Sequence, residues 1–292
     1  MTLESEHTTV GFIGIGVMGR SMARNLMQGG YRTHVYTRTK ASAAGLIDEG
    51  AIWEESVASL SAKCRVVFTI VGFPPDVEEV YLGERGILAN IQAGSYVVDM
   101  TTSRPDLAAR IAGEAAKKGV HALDAPVSGG DIGAREARLS IMVGGTREDF
   151  EAVLPLFELL GKNIVFQGKP GSGQHAKMCN QICIAATMMG ICESLAYARK
   201  SGLDPETVLK SIESGAAASW GLSNLAPRII NGDFAPGFYV KHFIKDMTIA
   251  LESAEAMGVE LPGLKLARQL YQKLAAEGGA DQGTQALFKL YS

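Results

Sequence analysis

The sequence has neither a strong excess of charge nor many cysteines. Lysine and arginine number 28 against 31 acidic residues, so the formal net charge is −3. A balance this close to neutral gives no electrostatic reason to expect nucleic acid or an anionic membrane as a partner. The four cysteines have no CxxC spacing, which predicts free thiols in a reducing compartment. No metal site is predicted, because His175 and Cys179 alone make a weak ligand pair.

Long uninterrupted apolar runs are also missing. No run of about 18 apolar residues lacks a polar interruption, so we expect no transmembrane span and no membrane partner. The first residues are polar without a basic segment, so we do not expect a signal peptide. These features predict a cytoplasmic protein. With 47% hydrophobic residues in 292, the chain can still bury a core in about two average domains.

The first half of the chain alternates short apolar runs with helical stretches. The strand-like runs lie at residues 10–15, 33–36, 65–71, 96–100, 121–125, 139–143 and 163–166. Strands that alternate with helices of about 10–15 residues are typical of parallel βαβ units. A parallel sheet is covered on both faces, which explains strands that are apolar throughout. The sequence therefore predicts an α/β fold with an N-terminal Rossmann domain, a doubly wound parallel sheet.

The second half has a different pattern. Residues 168–173 form a turn-rich junction, and beyond it helical patterns occupy about 173–200, 205–214, 241–257, 262–277 and 281–290. We therefore predict a Rossmann domain over 1–168 and an all-helical domain over 169–292. A small helical domain covers its apolar faces best by pairing, so we expect a homo-oligomer, either a dimer or a tetramer.

A glycine-rich motif follows the first predicted strand and opens the first helix. It matches G-x-G-x-x-G, and this is the context in which the pattern binds the pyrophosphate of a dinucleotide. The first glycine allows a tight turn, the second leaves room for the phosphates, and the third lets helix and strand pack closely. Free N–H groups at the helix start favour the phosphate charge. The predicted cofactor-binding residues are Gly14, Ile15, Gly16, Val17, Met18 and Gly19.

The position that reads the ribose carries no acid. About 20 residues after the glycine motif, NAD sites usually have Asp or Glu, but this sequence has Thr37, Arg38, Thr39 and Lys40. Arg38 and Lys40 can bind a 2′-phosphate, and the guanidinium fork suits it. The sequence therefore favours NADP. The alternative is that both are ordinary solvated residues and the cofactor is NAD.

Three further motifs follow in order. They are Asp124-Ala-Pro-Val-Ser-Gly-Gly130, Gly171-Ser-Gly-Gln-His-Ala-Lys177-Met-Cys-Asn180 and Lys245-Asp246-Met247. Together with GFIGIGVMGRSMARNL at 11–26, they resemble the β-hydroxyacid dehydrogenase family over nearly the whole chain. Its members include 3-hydroxyisobutyrate dehydrogenase, tartronate semialdehyde reductase and the glyoxylate/succinic semialdehyde reductases. The chain departs from the family at Gln181 and Thr101, where relatives often have asparagine and serine.

The resemblance implies an oxidoreductase that transfers a hydride between NAD(P) and a small β-hydroxy acid or its aldehyde acid. Lys177 would be the general acid and base, a role open to a lysine whose pKa is brought towards neutrality. It interrupts an otherwise apolar helix. The alternative is a lysine that buries its stem and extends its charge to solvent. Asn180 lies on about the same helix face and could orient a substrate oxygen.

The remaining motifs predict contacts with substrate and cofactor. Ser128, Gly129 and Gly130 form a small-residue turn beyond a strand end, whose N–H groups and hydroxyl suit a substrate carboxylate. By resemblance, Thr102 lies beside the nicotinamide ribose and Lys245 reaches the nicotinamide end. Val71 belongs to a loop that should pass along the cofactor. The alternatives are a plain glycine turn and a surface lysine paired with a local acid.

Two other functions stay open. One is an imine reductase on the same scaffold, although such relatives usually lack the catalytic lysine. The other is a dinucleotide-binding scaffold without turnover. Lys177 argues against the imine reductase, and the intact set of Lys177, Asn180 and Ser128 argues against the scaffold.

Overall fold

The computed structural model describes residues 3–291. The chain divides into two compact units between Lys177 and Met178. The composition change at Gly168, from which the domain boundary was predicted, lies at the end of the last strand. The division into units falls later, inside the helix that follows.

Nine strands form one sheet within residues 3–291. The sheet has the order β3-β2-β1-β4-β5-β6-β8-β7, with β9 paired to β8. The strands are β1 (Thr9–Ile13), β2 (Arg32–Tyr36), β3 (Ile52–Trp53), β4 (Val66–Thr69), β5 (Tyr96–Asp99), β6 (His121–Asp124), β7 (Val127–Ser128), β8 (Leu139–Gly144) and β9 (Gly161–Gly168). All pairs from β1 to β6 are parallel. The predicted Rossmann sheet is confirmed, and the two-residue strands β3 and β7 are additions to it.

The far edge of the sheet departs from the parallel pattern. Strand β8 runs antiparallel to both β6 and β7 and parallel to β9. Only ten residues separate Ser128 from Leu139, and a parallel crossover needs about a dozen or more. The chain therefore turns back after β7, and the next crossover, through a full helix, restores the parallel direction at β9.

Helices cover both faces of the sheet in the first unit. They are α1 (Val17–Gln28), α2 (Ala44–Asp48), α3 (Val57–Lys63), α4 (Pro74–Leu82), α5 (Ile87–Asn90), α6 (Pro105–Ala116), α7 (Gly130–Arg135) and α8 (Arg147–Glu158), with a 3-10 helix at Lys40–Ala43. Successive strand residues point to opposite faces. Phe12 and Phe68 therefore stack on one face at 6.1 Å, whereas Ile13 and Val67 belong to a second apolar cluster.

The chain after Gly168 is helical throughout its described part, as predicted. Its helices are α9 (Ser172–Lys200), α10 (Pro205–Ile212), α11 (Trp220–Asn224), α12 (Ala226–Ile230), α13 (Val240–Ala256) and α14 (Pro262–Leu274), followed by a π-helical turn (Ala275–Gly279) and a 3-10 helix (Thr284–Leu290). The short helices α11 and α12 were not predicted. In the second unit, Phe243 packs edge-on against Tyr271 at 5.1 Å, and both are buried.

Helix α9 is long and apolar enough to cross a membrane by length and composition. A core helix of a soluble protein meets the same criterion. Three of its polar side chains, Gln174, Lys177 and Gln181, are buried inside the protein. The absence of a membrane partner stays a prediction.

Candidate functional site

The carboxyl ends of five neighbouring strands lie in one row of the sheet. Ile13 at the end of β1 pairs with Tyr36 and Thr69. The row continues from Thr69 to Asp99 and then to Asp124. Ligands of open α/β sheets bind beyond this edge, where the strand order reverses. The segments that leave from this row include the glycine motif, Thr37–Thr39, Val71 and Thr102.

The glycine motif leaves room beside the start of α1. Gly14 has φ +99°, and a Cβ there would collide with the carbonyl of Ile70. A Cβ on Gly19 would collide with the carbonyl of Gly14, whereas a Cβ on Gly16 would meet no atom within 4 Å. The first turn of α1 contains no acidic residue, and its N-cap makes no side-chain hydrogen bond. The open space and the N–H groups therefore fit a pyrophosphate. Ile15 is buried, and Val17 is 63% exposed.

The residues after β2 lie on the surface and include Arg38 and Lys40, the two basic residues that were predicted to bind a 2′-phosphate. The Arg38 side chain is 83% exposed, and its Nη1 lies 3.2 Å from Oδ1 of Asp76 in the first turn of α4. Lys40 Nζ lies 3.5 Å from Glu55 and 5.1 Å from the Trp53 ring centroid. Asp76 was missed, because nothing in the sequence spacing relates it to Arg38. Its carboxylate would compete with a 2′-phosphate for the guanidinium.

A buried hydrogen-bond network links the loops after β4 and β5. Asp99 Oδ1 accepts from the Thr69 hydroxyl at 2.9 Å and from Thr101 N at 3.0 Å. The Thr101 hydroxyl accepts from Val71 N at 3.0 Å. Thr69 also lies 2.8 Å from the Tyr81 hydroxyl, and burial raises the Tyr81 pKa well above its usual value. The predicted cofactor loops at Val71 and Thr102 are thus held by one network.

The start of α9 is bound to the same edge of the sheet. The Asp124 carboxylate accepts from Gly171 N at 2.7 Å and from Gln174 N at 2.9 Å. Burial raises the Asp124 pKa to about 6, while the hydrogen bonds from the two backbone N–H groups act in the opposite direction. The Gln174 side chain reaches the loop after β5, where it bonds Thr101 O and Ser103 N. These contacts anchor the first turn of the helix that carries Lys177.

Lys177 belongs to this anchored part of α9. It is 6% exposed, so little of the residue is in contact with bulk solvent. The turn at Ser128 lies beyond β6 in the same unit. Gly129 and Gly130 have φ +130° and +64° and are exposed, while Ser128 is partly buried. The two glycines of this turn are therefore open to solvent.

The predicted residues of the second unit are joined by a separate network. Asn180 Nδ2 donates to Gln181 Oε1 at 2.7 Å, and Gln181 Nε2 donates to Asp246 Oδ2 at 2.6 Å. Lys245 Nζ lies 3.1 Å from Asp246 Oδ1. Asn180 and Lys245 are therefore connected through the buried side chains of Gln181 and Asp246. Burial, then the charge of Lys245, lowers the pKa of His242 one turn earlier.

In the described part of the chain, neither the cysteines nor the residue types that commonly bind metals form a second functional site. The four thiols are unpaired, and burial raises the pKa of Cys64 and of Cys192 to about 12. Within residues 3–291, no group of three or more His, Cys, Asp or Glu side chains is arranged to hold a metal ion.

Two family models together match most of the chain. One is described as the NAD binding domain of 6-phosphogluconate dehydrogenase and matches residues 9–168. The other is described as NAD-binding of NADP-dependent 3-hydroxyisobutyrate dehydrogenase and matches residues 171–291.

Individual proteins match over nearly their full lengths. The uncharacterized oxidoreductase YkwC of Bacillus subtilis (strain 168) is 60% identical over 283 residues, covering 97% of this chain and 98% of its own. The 2-hydroxy-3-oxopropionate reductase of Escherichia coli (strain K12) is 41% identical, with 95% of each chain covered. The solved structure of Mycobacterium tuberculosis 3-hydroxyisobutyrate dehydrogenase with L-serine has a TM-score of 0.89 at 29% identity, covering 97% of this chain and 98% of that one.

The sheet order, the glycine turn and the match to an NAD binding domain define a dinucleotide-binding protein. The matches to both halves and the full-length relatives go further: the chain belongs to the β-hydroxyacid dehydrogenase family. This membership supports NAD(P)-dependent dehydrogenase activity on CH–OH groups.

Proposed function

We propose that the protein reduces a small aldehyde acid with NADPH, or oxidises the corresponding β-hydroxy acid, and that Lys177 exchanges the proton. The observation that carries the proposal is the burial of Lys177, which is 6% exposed in a helix anchored to the strand ends by Asp124 and Gln174. An amine held in a fixed position can donate a proton to a substrate oxygen within hydrogen-bond reach, or accept one from it.

The proton step follows from this environment. A bound nicotinamide dinucleotide supplies the hydride, and the carbonyl oxygen gains negative charge as it becomes an alkoxide. The Lys177 ammonium donates a proton from Nζ to that oxygen. In the oxidation direction, the neutral amine accepts the hydroxyl proton.

We further propose that Ser128, Gly129 and Gly130 bind the substrate carboxylate through backbone N–H groups and the serine hydroxyl. The exposed glycines and the left-handed φ of Gly130 support this role. Asn180 would orient the substrate oxygen. Its Nδ2 already donates to Gln181, so its Oδ1 is the atom that would accept from a substrate hydroxyl.

For the cofactor, we propose NADP rather than NAD. The pyrophosphate would bind at residues 14–19 and the 2′-phosphate near Arg38 and Lys40, with Thr37, Thr39, Val71, Thr102 and Lys245 as further contacts. Support comes from the two surface cations after β2 and from the NADP-dependent enzymes by which one matching family model is described. Asp76 is the feature that opposes a strong preference.

We also propose a homo-oligomer, a dimer or a tetramer, in the cytoplasm, without nucleic acid or membrane as a partner. The near-neutral net charge supports the absence of nucleic acid and of an anionic membrane as partners. Sedimentation analysis of the purified chain tests the subunit count: a monomer at micromolar concentration contradicts it.

A substrate panel tests the proposed function. Glyoxylate, succinic semialdehyde, tartronate semialdehyde and methylmalonate semialdehyde are each tested with NADPH and NADH, and propionaldehyde serves as the control without a carboxylate. We expect at least one acid to oxidise NADPH and propionaldehyde to be a poor substrate. NADPH binding without turnover on any acid supports the scaffold interpretation. Reduction of a cyclic imine alone supports the imine reductase.

A further inference from the structure

We propose that Gln174 is a positioning residue, which holds the loop at Thr102 in register with the helix that carries Lys177. The inference rests on the proposed role of Lys177 and adds a residue that none of the predicted contacts includes. Gln174 does not touch the reacting atoms in this proposal; it acts through the two segments that do.

The Gln174 carboxamide makes two hydrogen bonds to one short piece of backbone. Its Nε2 donates to Thr101 O at 2.7 Å, and its Oε1 accepts from Ser103 N at 2.9 Å. These two groups flank Thr102 on both sides. The side chain is completely buried, so water cannot replace either bond. One side chain of α9 therefore holds the backbone on both sides of Thr102, in addition to the hydrogen bond from Thr101 N to Asp99.

The first turn of α9, at the other end of this connection, is also held in place by hydrogen bonds. The Asp124 carboxylate binds the backbone N–H groups of Gly171 and Gln174, which fixes the first turn of α9. Lys177 lies three residues after Gln174, so both side chains leave the helix on about the same face. Gln174 therefore connects the backbone on both sides of Thr102 to the turn of α9 that precedes Lys177.

An amide suits the chemistry of this position. A backbone carbonyl needs a donor and a backbone N–H needs an acceptor, and the planar carboxamide of Gln presents both without a change of protonation. Methionine has a similar length but leaves both backbone groups without partners in a buried site, which favours rearrangement of the loop. Misplacing reacting groups by about 1 Å can reduce turnover on the order of 100-fold.

The experiment compares Gln174→Met with Gln285→Met. Gln285 is the matched control, because it is also buried and its Nε2 donates to two backbone carbonyls, those of Asp233 and Ala235, at 3.1 Å. Both variants lose a buried amide, but Gln285 belongs to no predicted contact. Three quantities are measured: the melting temperature, kcat and KM on the best acid of the panel, and deuterium exchange of the peptide that contains Ser103 in the cofactor-free protein.

We expect both variants to melt earlier. Only Gln174→Met should lose kcat, by about 10- to 100-fold, with a much smaller change in KM for the aldehyde, and only it should accelerate exchange at Ser103. Equal kcat and equal exchange in the two variants overturn the proposal. If Gln174→Met does not fold, Gln174→Asn replaces it, because asparagine keeps the carboxamide on a side chain that is one methylene shorter. We expect Gln174→Asn to lower kcat and to accelerate exchange at Ser103, both by less than Gln174→Met.

The exchange measurement separates this proposal from the proposed function. Faster exchange at Ser103 in Gln174→Met, with a wild type inactive on every acid, contradicts the proposed function and leaves the connection between α9 and the loop intact. Unchanged exchange with an active wild type contradicts the connection alone.

Discussion

The two ends of the candidate cofactor site differ sharply in burial. At the ribose end, the Arg38 side chain is 83% exposed and pairs directly with Asp76 at the surface. At the proposed reaction end, Gln174 is completely buried and Lys177 is 6% exposed. Exposed ion pairs contribute little and are screened by salt, whereas buried polar groups must all be satisfied. Cofactor preference is therefore easy to change by substitution, and the geometry around Lys177 is not.

The largest effect expected on folding stability concerns Asp124, which anchors the start of α9 at the buried end. Its pKa of about 6 lies above the usual 3.8 because of burial, so the folded protein holds this proton more tightly than the unfolded chain does. The stability from Asp124 is fully present below about pH 4 and is lost as the pH rises through about 6. At about 1.4 kcal/mol per pH unit, the loss is on the order of 3 kcal/mol.

Asp124→Asn removes this titration. Between pH 4 and 7 the free energy of unfolding of the wild type should fall relative to that of the variant. Asp106→Asn is the control with the opposite sign, since the Arg104 guanidinium lowers the pKa of Asp106. Chemical denaturation at several pH values measures the differences. Parallel curves for wild type and Asp124→Asn contradict the expectation.

The next effect in size is the loss of Arg38. Arg38→Ala removes the proposed charge-assisted contact to a 2′-phosphate. Such a contact is worth about 1.5–3 kcal/mol, so KM for NADPH should rise by about 10- to 100-fold. KM for NADH should not change. Arg110→Ala is a suitable control, because Arg110 is also exposed and paired, with Glu78 at 2.6 Å. Equal effects on both cofactors mean that Arg38 is only a surface residue.

The smallest expected effect comes from Asp76. In Asp76→Asn the side chain no longer competes with the 2′-phosphate or repels it, so NADPH should bind more tightly. Surface pairs contribute up to about 1 kcal/mol, which limits the gain to roughly fivefold, and salt should reduce it. Fluorescence titration at low and high ionic strength measures both. Weaker NADPH binding instead means that Asp76 orients Arg38.

Much of the fold was predictable from sequence because hydrophobic periodicity reports burial directly. The runs at 65–71 and 96–100 became β4 and β5, and the loss of strand signals after Gly168 correctly predicted the helical half. The two-residue strands and the short helix α11 carry too few residues for a periodic pattern. The reversal at β8 depends on a long-range pairing, which no local pattern encodes.

The residues of the candidate site also fall into two groups, those that a local sequence motif predicts and those that depend on long-range contacts. Motifs predicted the residues proposed to touch ligands, since phosphate and carboxylate binding demand particular residue types in sequence. The supporting residues, Asp99, Asp124 and Gln174, act across 30 to 73 positions of chain, so spacing gives no sign of their partners. One signal was available: an aspartate that ends an otherwise apolar strand, as at Asp99 and Asp124, needs a buried partner.

The most direct test of the account is the turnover of Lys177→Met, which keeps the bulk of the buried stem and removes the amine. Lys265→Met is the control, because Lys265 is exposed and paired with Glu260. General acid–base catalysis contributes about 100- to 10,000-fold. We therefore expect kcat to fall by that factor in Lys177→Met while NADPH still binds. Turnover of Lys177→Met at the wild-type rate contradicts the role of Lys177 as the proton-transfer group.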